Sequence, residues 1–180
     1  MPDWTTLQSQ IVKLLVIGIF VLGIIESIFY AKWNPSYFRN GLPVFTRRFA
    51  ANSFSPEPPP AYELEERFRS KITNSIVFKE ISPTEYAFRY KLFEFGFRIR
   101  YGPTIMRGLI LWNFDERRVT VKGYMHWTTF LFCVLIVLGS IGAGSPAILI
   151  LLVPLGLFYG VEALRFSEVG KFAAECWSKY

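Results

Sequence analysis

The stretch GYMHWTTFLFCVLIVLGSIGAGSPAILILLVPLGLFYGV, residues 123–161, contains no Asp, Glu, Lys or Arg, and its reading decides the rest of the chain. A membrane span takes roughly 20 apolar residues at about 1.5 Å rise each, so a run of this length suffices for two short spans. Its middle, Gly139-Ser140-Ile141-Gly142-Ala143-Gly144-Ser145-Pro146, is rich in residues that disfavour helix, and Pro146 suits the first turn of a new one. The pattern predicts a helical hairpin, Trp127 to about Ser140 and Pro146 to Val161. Gly156-x-x-x-Gly160 in the second arm permits close backbone approach, either between the two arms or to another membrane protein. Pro154 predicts a kink near that arm's centre.

A second apolar run, Leu14 to Ala31, lies between Lys13 and Lys32 and is interrupted by one charge, Glu26. Its length corresponds to roughly 27 Å of helix, enough to cross a bilayer with little tilt. The segment before it carries one Lys and one Asp, and no small-x-small site follows, so an uncleaved first span is expected rather than a signal peptide. Asn34-Pro35 ends the helix, because proline donates no hydrogen bond and restricts the residue before it. An ionisable group in a span is costly, which singles out Glu26. An intramembrane polar contact near the interface is the expectation for it; a contact with another subunit and a proton-handling role are the alternatives.

The chain has 180 residues, 52% of them hydrophobic, and a formal net charge of +6. Residues 32–122 hold 16 Lys and Arg against 9 Asp and Glu, so the excess belongs to the middle of the chain. Because apolar runs flank that segment, its basicity is read as membrane topology rather than nucleic-acid binding. Lys32, Arg39, Arg47 and Arg48 follow the first span, and Arg107, Arg117, Arg118 and Lys122 precede the second, whereas the hairpin tip is uncharged. The positive-inside rule then places the N-terminus and the tip outside and the middle segment and C-terminus in the cytoplasm, with a bacterial inner membrane as the expected setting.

Residues 32–60 read as a juxtamembrane segment and a proline-rich arm. Tyr37 to Phe49 (YFRNGLPVFTRRF) interleaves aromatic and basic residues around an Asn-Gly turn signal, which suits a connector resting on the bilayer or on the protein's own domain, and Ala50 to Pro60 (AANSFSPEPPP) suits an extended spacer. Residues 61–124 read as one helix followed by an antiparallel sheet. Ala61 to Ile72 places Leu64, Phe68 and Ile72 on one face. Candidate strands are Ser75–Ile81, Thr84–Lys91, Phe93–Tyr101, Met106–Phe114 and Arg118–Tyr124, and a parity flip between Leu92 and Phe93 predicts a bulge. Met106–Phe114 is apolar on both parities, as in a strand covered on both faces. Residues 162–180 form an amphipathic helix with Phe166, Val169, Ala173, Cys176, Trp177 and Tyr180 on one side. The fold class expected is therefore an α+β membrane protein with three spans, one N-terminal (1–31) and two in the hairpin (125–161).

Little in the sequence supports catalysis. No Ser/His/Asp set, phosphate-binding glycine loop, HExxH motif or carboxylate pair at useful spacing occurs. His126, the single histidine, stands at the mouth of a span and is a weak candidate for binding a cofactor through neutral imidazole. An interfacial polar role fits it better, and no cofactor is expected. Cys133 lies among Phe130, Leu131, Phe132 and Val134, where a thiolate is suppressed, and neither it nor Cys176 belongs to a cluster with metal-ligand spacing.

In outline, a span, a small bent sheet closed by a helix, and a hairpin, the plan resembles membrane-tethered pleckstrin-homology-like modules; the likeness is one of layout, and no residue role follows from it. The function expected is that of a non-catalytic accessory or scaffold subunit of a membrane complex, with other integral membrane subunits and lipids, anionic ones among them, as partners. The alternative is a membrane-tethered module that binds lipid or protein. Gly156 and Gly160 are the expected packing residues. Arg39, Arg47, Arg48, Trp127 and Trp177 are the expected contacts with the membrane surface or a partner.

Overall fold

A computed structural model describes residues 4–51, 57–69, 75–90, 105–142 and 144–179. They form a mixed α+β fold. Helix α1 (Trp4–Ala31) leads into the short α2 (Pro35–Arg39), strand β1 (Leu42–Ala50) and α3 (Ala61–Phe68). Strands β2 (Ile76–Ser82), β3 (Glu85–Tyr90), β4 (Met106–Asn113) and β5 (Arg118–Met125) follow, then α4 (Trp127–Gly142), a 3-10 segment (Pro146–Leu151) and α5 (Leu152–Trp177). The sheet is antiparallel throughout in the order β1-β5-β4-β3-β2, so β2 to β5 form a meander and β1 is laid beside its last strand.

Among the described residues, two helices are long and apolar enough to cross a membrane, Lys13–Ala31 and the continuous stretch Pro146–Trp177, while the apolar Trp127–Gly142 is shorter. Most of their apolar surface is uncovered by the rest of the chain: Phe20 is 71% exposed, Ile141 73% and Leu157 68%. Uncovered apolar area of this extent is rare on a protein surrounded by water.

Four of the five candidate strands fall on residues the structure describes or overlaps, as β2 to β5. The candidate strand Phe93–Tyr101, the bulge at Leu92, residues 52–56 of the arm and the end of the helix predicted over 61–72 lie outside the described residues. The segment Tyr37 to Phe49, expected as a connector on the bilayer or on the chain's own domain, lies on that domain and is regular structure: it supplies α2 and the edge strand β1, which pairs with β5 from Leu42↔Met125 to Ala50↔Arg118. Asn34 starts α2, its side chain accepting from the Tyr37 N–H at 3.1 Å.

The segment read as a separate C-terminal helix is the second half of α5. Its apolar stripe covers one face of the sheet. Phe166 packs edge-on against Phe88 and Phe45, with ring centroids 4.6 and 6.1 Å away. Trp177 lies against Trp112 and Phe114 at 5.5 and 5.4 Å. Beside α5, α3 closes the same layer through Phe68, which meets Phe78 and Phe172. Pro154, expected to kink the second arm near its centre, is the third residue of α5, where the 3-10 segment gives way to α-helix.

Gly170 sets how closely α5 approaches the sheet, since a Cβ there would lie 2.1 Å from the Phe49 ring and 2.8 Å from Val121 Cγ2. Gly170→Ala is expected to lower stability by about 1–3 kcal/mol through overpacking, read as an earlier thermal transition, despite alanine's better helix propensity.

Candidate functional site

Where the apolar helices meet the sheet, a cluster of polar side chains is closed off from solvent. α1 supplies Glu26, 4% exposed, from its last two turns. α2 supplies Tyr37, β4 supplies Arg107, and the junction of β5 with α4 supplies His126 and the first residues of α4. These groups are separated by up to 102 positions in sequence and converge only because the sheet returns the chain to its starting edge.

The Glu26 carboxylate accepts four hydrogen bonds. Oε1 takes the Tyr37 hydroxyl at 2.9 Å and the Trp127 N–H at 2.7 Å; Oε2 takes the Thr128 N–H at 2.8 Å and its hydroxyl at 2.6 Å. Four donors fill the acceptor capacity of an ionised carboxylate, which has no proton of its own to donate. Two of them are the first N–H groups of α4, which no intrahelical carbonyl can satisfy. Glu26 thus caps α4 from another helix, with its negative charge at the positive end of the helix dipole.

Arg107 is fully buried and binds three carbonyls. Nε donates to Tyr37 O at 2.7 Å, Nη2 to Asn40 O at 2.5 Å and Nη1 to Met125 O at 3.2 Å. Its guanidinium lies 3.8 Å from the centroid of the Tyr37 ring and 3.9 Å from Glu26 Oε1. Gly41 permits this placement, as a Cβ there would collide with the guanidinium. Desolvation holds Arg107 below its usual pKa and Tyr37 well above the usual phenol value, with Arg107 opposing the latter shift, so the phenol keeps its proton.

Tyr37 Oη is also 2.6 Å from His126 Nδ1. With the hydroxyl hydrogen directed at the carboxylate, the phenol oxygen can only accept from Nδ1–H, which fixes the imidazole tautomer and leaves Nε2 a bare lone pair. Nε2 is buried and without a hydrogen-bond partner among the described residues. The Tyr30 ring packs edge-on to the imidazole at 5.3 Å. Among the described residues no group of three or more metal-ligating side chains surrounds His126 or any other position.

A second carboxylate works the same way from the other side. Glu162, the first charge after the uncharged run and 5% exposed, accepts the Ile105 N–H at 2.9 Å and the Met106 N–H at 2.8 Å. α5 is thereby tied to the start of β4, as α1 is tied to the start of α4. Arg89 completes the junction, donating to Tyr30 O at the end of α1 and lying 4.1 Å over the Trp33 ring. Trp33 itself takes a left-handed φ of 54°, which turns the chain from α1 into α2.

Of the residues singled out from sequence, Glu26 and His126 come together in this cluster. Gly156 and Gly160 do not pack against either neighbouring helix, and a Cβ at either would meet nothing within 4 Å. Arg39 pairs with Glu85 at 2.6 Å, and Arg47 donates to Ser167 on α5 at 3.0 Å. Trp127 is exposed at the start of α4. Trp177 requires correction: it is completely buried in the core under α5 and offers no surface to a membrane or a partner. Sequence reasoning missed Tyr37, Arg107 and Glu162. For Glu162 a signal existed, a lone acid at the end of a long apolar run; Arg107 was legible only as one charge among the basic residues of the middle segment. No family model, curated protein or solved structure matches the chain.

Proposed function

We propose that the chain is a non-catalytic accessory subunit of an integral membrane complex, in which α1, α4 and α5 pack with the helices of other subunits and hold the sheet rigidly against the cytoplasmic face. The observation that carries this reading is the Glu26–Tyr37–Arg107 cluster. Its hydrogen bonds to backbone fall on three elements, α2, β5 and α4, and on the turn at Asn40, which joins α1 and α4 to the sheet. A rigid join of this kind suits a part that must present two surfaces in fixed geometry. Gly156 and Gly160, open on the outside of α5, supply a face that another membrane helix can approach closely.

Purification of the native protein in mild detergent tests the reading. A stoichiometric membrane partner is expected to co-migrate with it, and migration of the chain alone would count against an assembly role. Gly156→Ile combined with Gly160→Ile is expected to leave the thermal transition of the isolated chain unchanged, since both positions open on empty space, while releasing that partner.

A further inference from the structure

At the end of the sheet away from the apolar helices, a groove of about 610 Å³ opens between β1 and the last turns of α5. Arg48, Phe49 and Ala50 form one wall, and Lys171, Glu175 and Lys179 stand on the other. Lys171 and Lys179 flank one carboxylate, Glu175, on the α5 side, whereas Arg48 stands on the opposite face of β1 from Phe49, which packs on α5. Among the described residues, none of Arg48, Lys171 and Lys179 makes an ion pair.

Among the described residues the β1 wall is the outer strand of the sheet, paired by β5 on one side. The Ala51 N–H donates to Arg117 O, so in the alternating antiparallel ladder Phe49 and Arg47 turn their backbone groups towards β5. Arg48 and Ala50, one step out of phase, direct theirs to the open edge. Unpaired strand edges are templates for an added strand, and here the edge lies in a basic groove with the Phe49 ring at its base.

Distance from the membrane separates this site from lipid. β5 runs eight residues from Met125, next to α4, to Arg118, which pairs with Ala50; at about 3.3 Å per residue the groove is roughly 25 Å from the helix end of the sheet. The Debye length at physiological salt is about 8 Å, so headgroup charge is screened there.

We propose that the groove captures an extended acidic peptide segment of a partner protein, added as a strand along β1, with carboxylates of one parity meeting Lys171 and Lys179 on the α5 side and those of the other meeting Arg48 on the opposite face. Backbone pairing supplies affinity, and the three cations select acidic over basic sequences. The inference goes beyond the assembly reading and rests on it only in placing the apolar helices in the membrane, since the groove uses no residue of the Glu26 cluster.

The test uses the full chain in detergent micelles and a fluorescein-labelled peptide of alternating Glu and Val, ten residues long. Saturable binding is expected, weakened at least about tenfold by combined Arg48→Ala, Lys171→Ala and Lys179→Ala, all at exposed positions. Lys79→Ala, on the opposite edge strand, serves as the control and is expected to leave binding unchanged. Hydrogen exchange is expected to show the Arg48 and Ala50 amides protected by the peptide. Absence of binding, equal binding of a Lys-Val peptide, or binding retained in the triple variant would overturn the proposal. Displacement of the peptide by equimolar pyrophosphate would overturn it in favour of a small anion, and a concentration-dependent dimer abolished by the triple variant would assign the groove to a second copy of the chain.

Discussion

Replacement of Glu26 by alanine is expected to destabilise the protein by about 3–5 kcal/mol, the usual consequence of removing one partner from a buried charged cluster. Two α4 N–H groups, the Tyr37 hydroxyl and the Thr128 hydroxyl lose their acceptor together, and the Arg107 guanidinium loses its nearby negative charge. For a chain of this length the change corresponds to a fall in Tm of roughly 6–20 °C, read by tryptophan fluorescence in detergent. Glu26→Gln separates geometry from charge. Its amide oxygen retains one acceptor, but its NH2 group faces a backbone N–H, of Trp127 or Thr128, that cannot accept, so an intermediate loss of about 1–3 kcal/mol is expected. If Glu26 faced only lipid or a hydrated interface, alanine would be neutral or stabilising instead, because it relieves the burial of a charge.

Trp177→Ala is the second large effect, a loss of about 3–5 kcal/mol from an indole that is completely buried between Trp112 and Phe114. Urea unfolding of the detergent-solubilised protein measures it. A tryptophan resting on a membrane surface would show little loss on the same substitution, so the result distinguishes the core position from an interfacial one.

The meander was legible because β2 to β5 carry clean signals. Tyr86, Phe88 and Tyr90 share a parity that faces α5, and the Asp115-Glu116 turn is closed by the Asn113 side chain accepting from the Glu116 N–H at 3.0 Å. β1 was not legible, for a reason visible in its packing. Phe45, Arg47 and Phe49 share one face, and Arg47, which breaks the apolar pattern, reaches Ser167 on α5 rather than solvent alone. As an edge strand it also exposes Thr46, Arg48 and Ala50 on its other face, so its pattern resembles that of a basic surface loop.

The polar cluster shows a different limit. Glu26 was conspicuous as a charge inside an apolar run, but its role depends on Trp127 and Thr128, which lie more than 100 positions away, and on a sheet that places α4 beside α1. Hydropathy marks such a residue as costly without naming its partner. Gly156 and Gly160 show the reverse: the spacing was plain, yet whether the glycines face a neighbouring arm or open space is settled by helix rotation, which composition does not encode.

Amide hydrogen exchange at Trp127 and Thr128, compared between the natural chain and Glu26→Ala, tests most directly whether the Glu26 carboxylate joins the apolar helices to the sheet. Both amides are expected to be protected in the natural chain and to exchange about 100-fold faster or more in the variant, while Val119 and Val121 in the sheet exchange at rates that follow global stability alone. Exchange at Trp127 and Thr128 that is already fast in the natural chain, or that is unchanged by the substitution, would contradict the account.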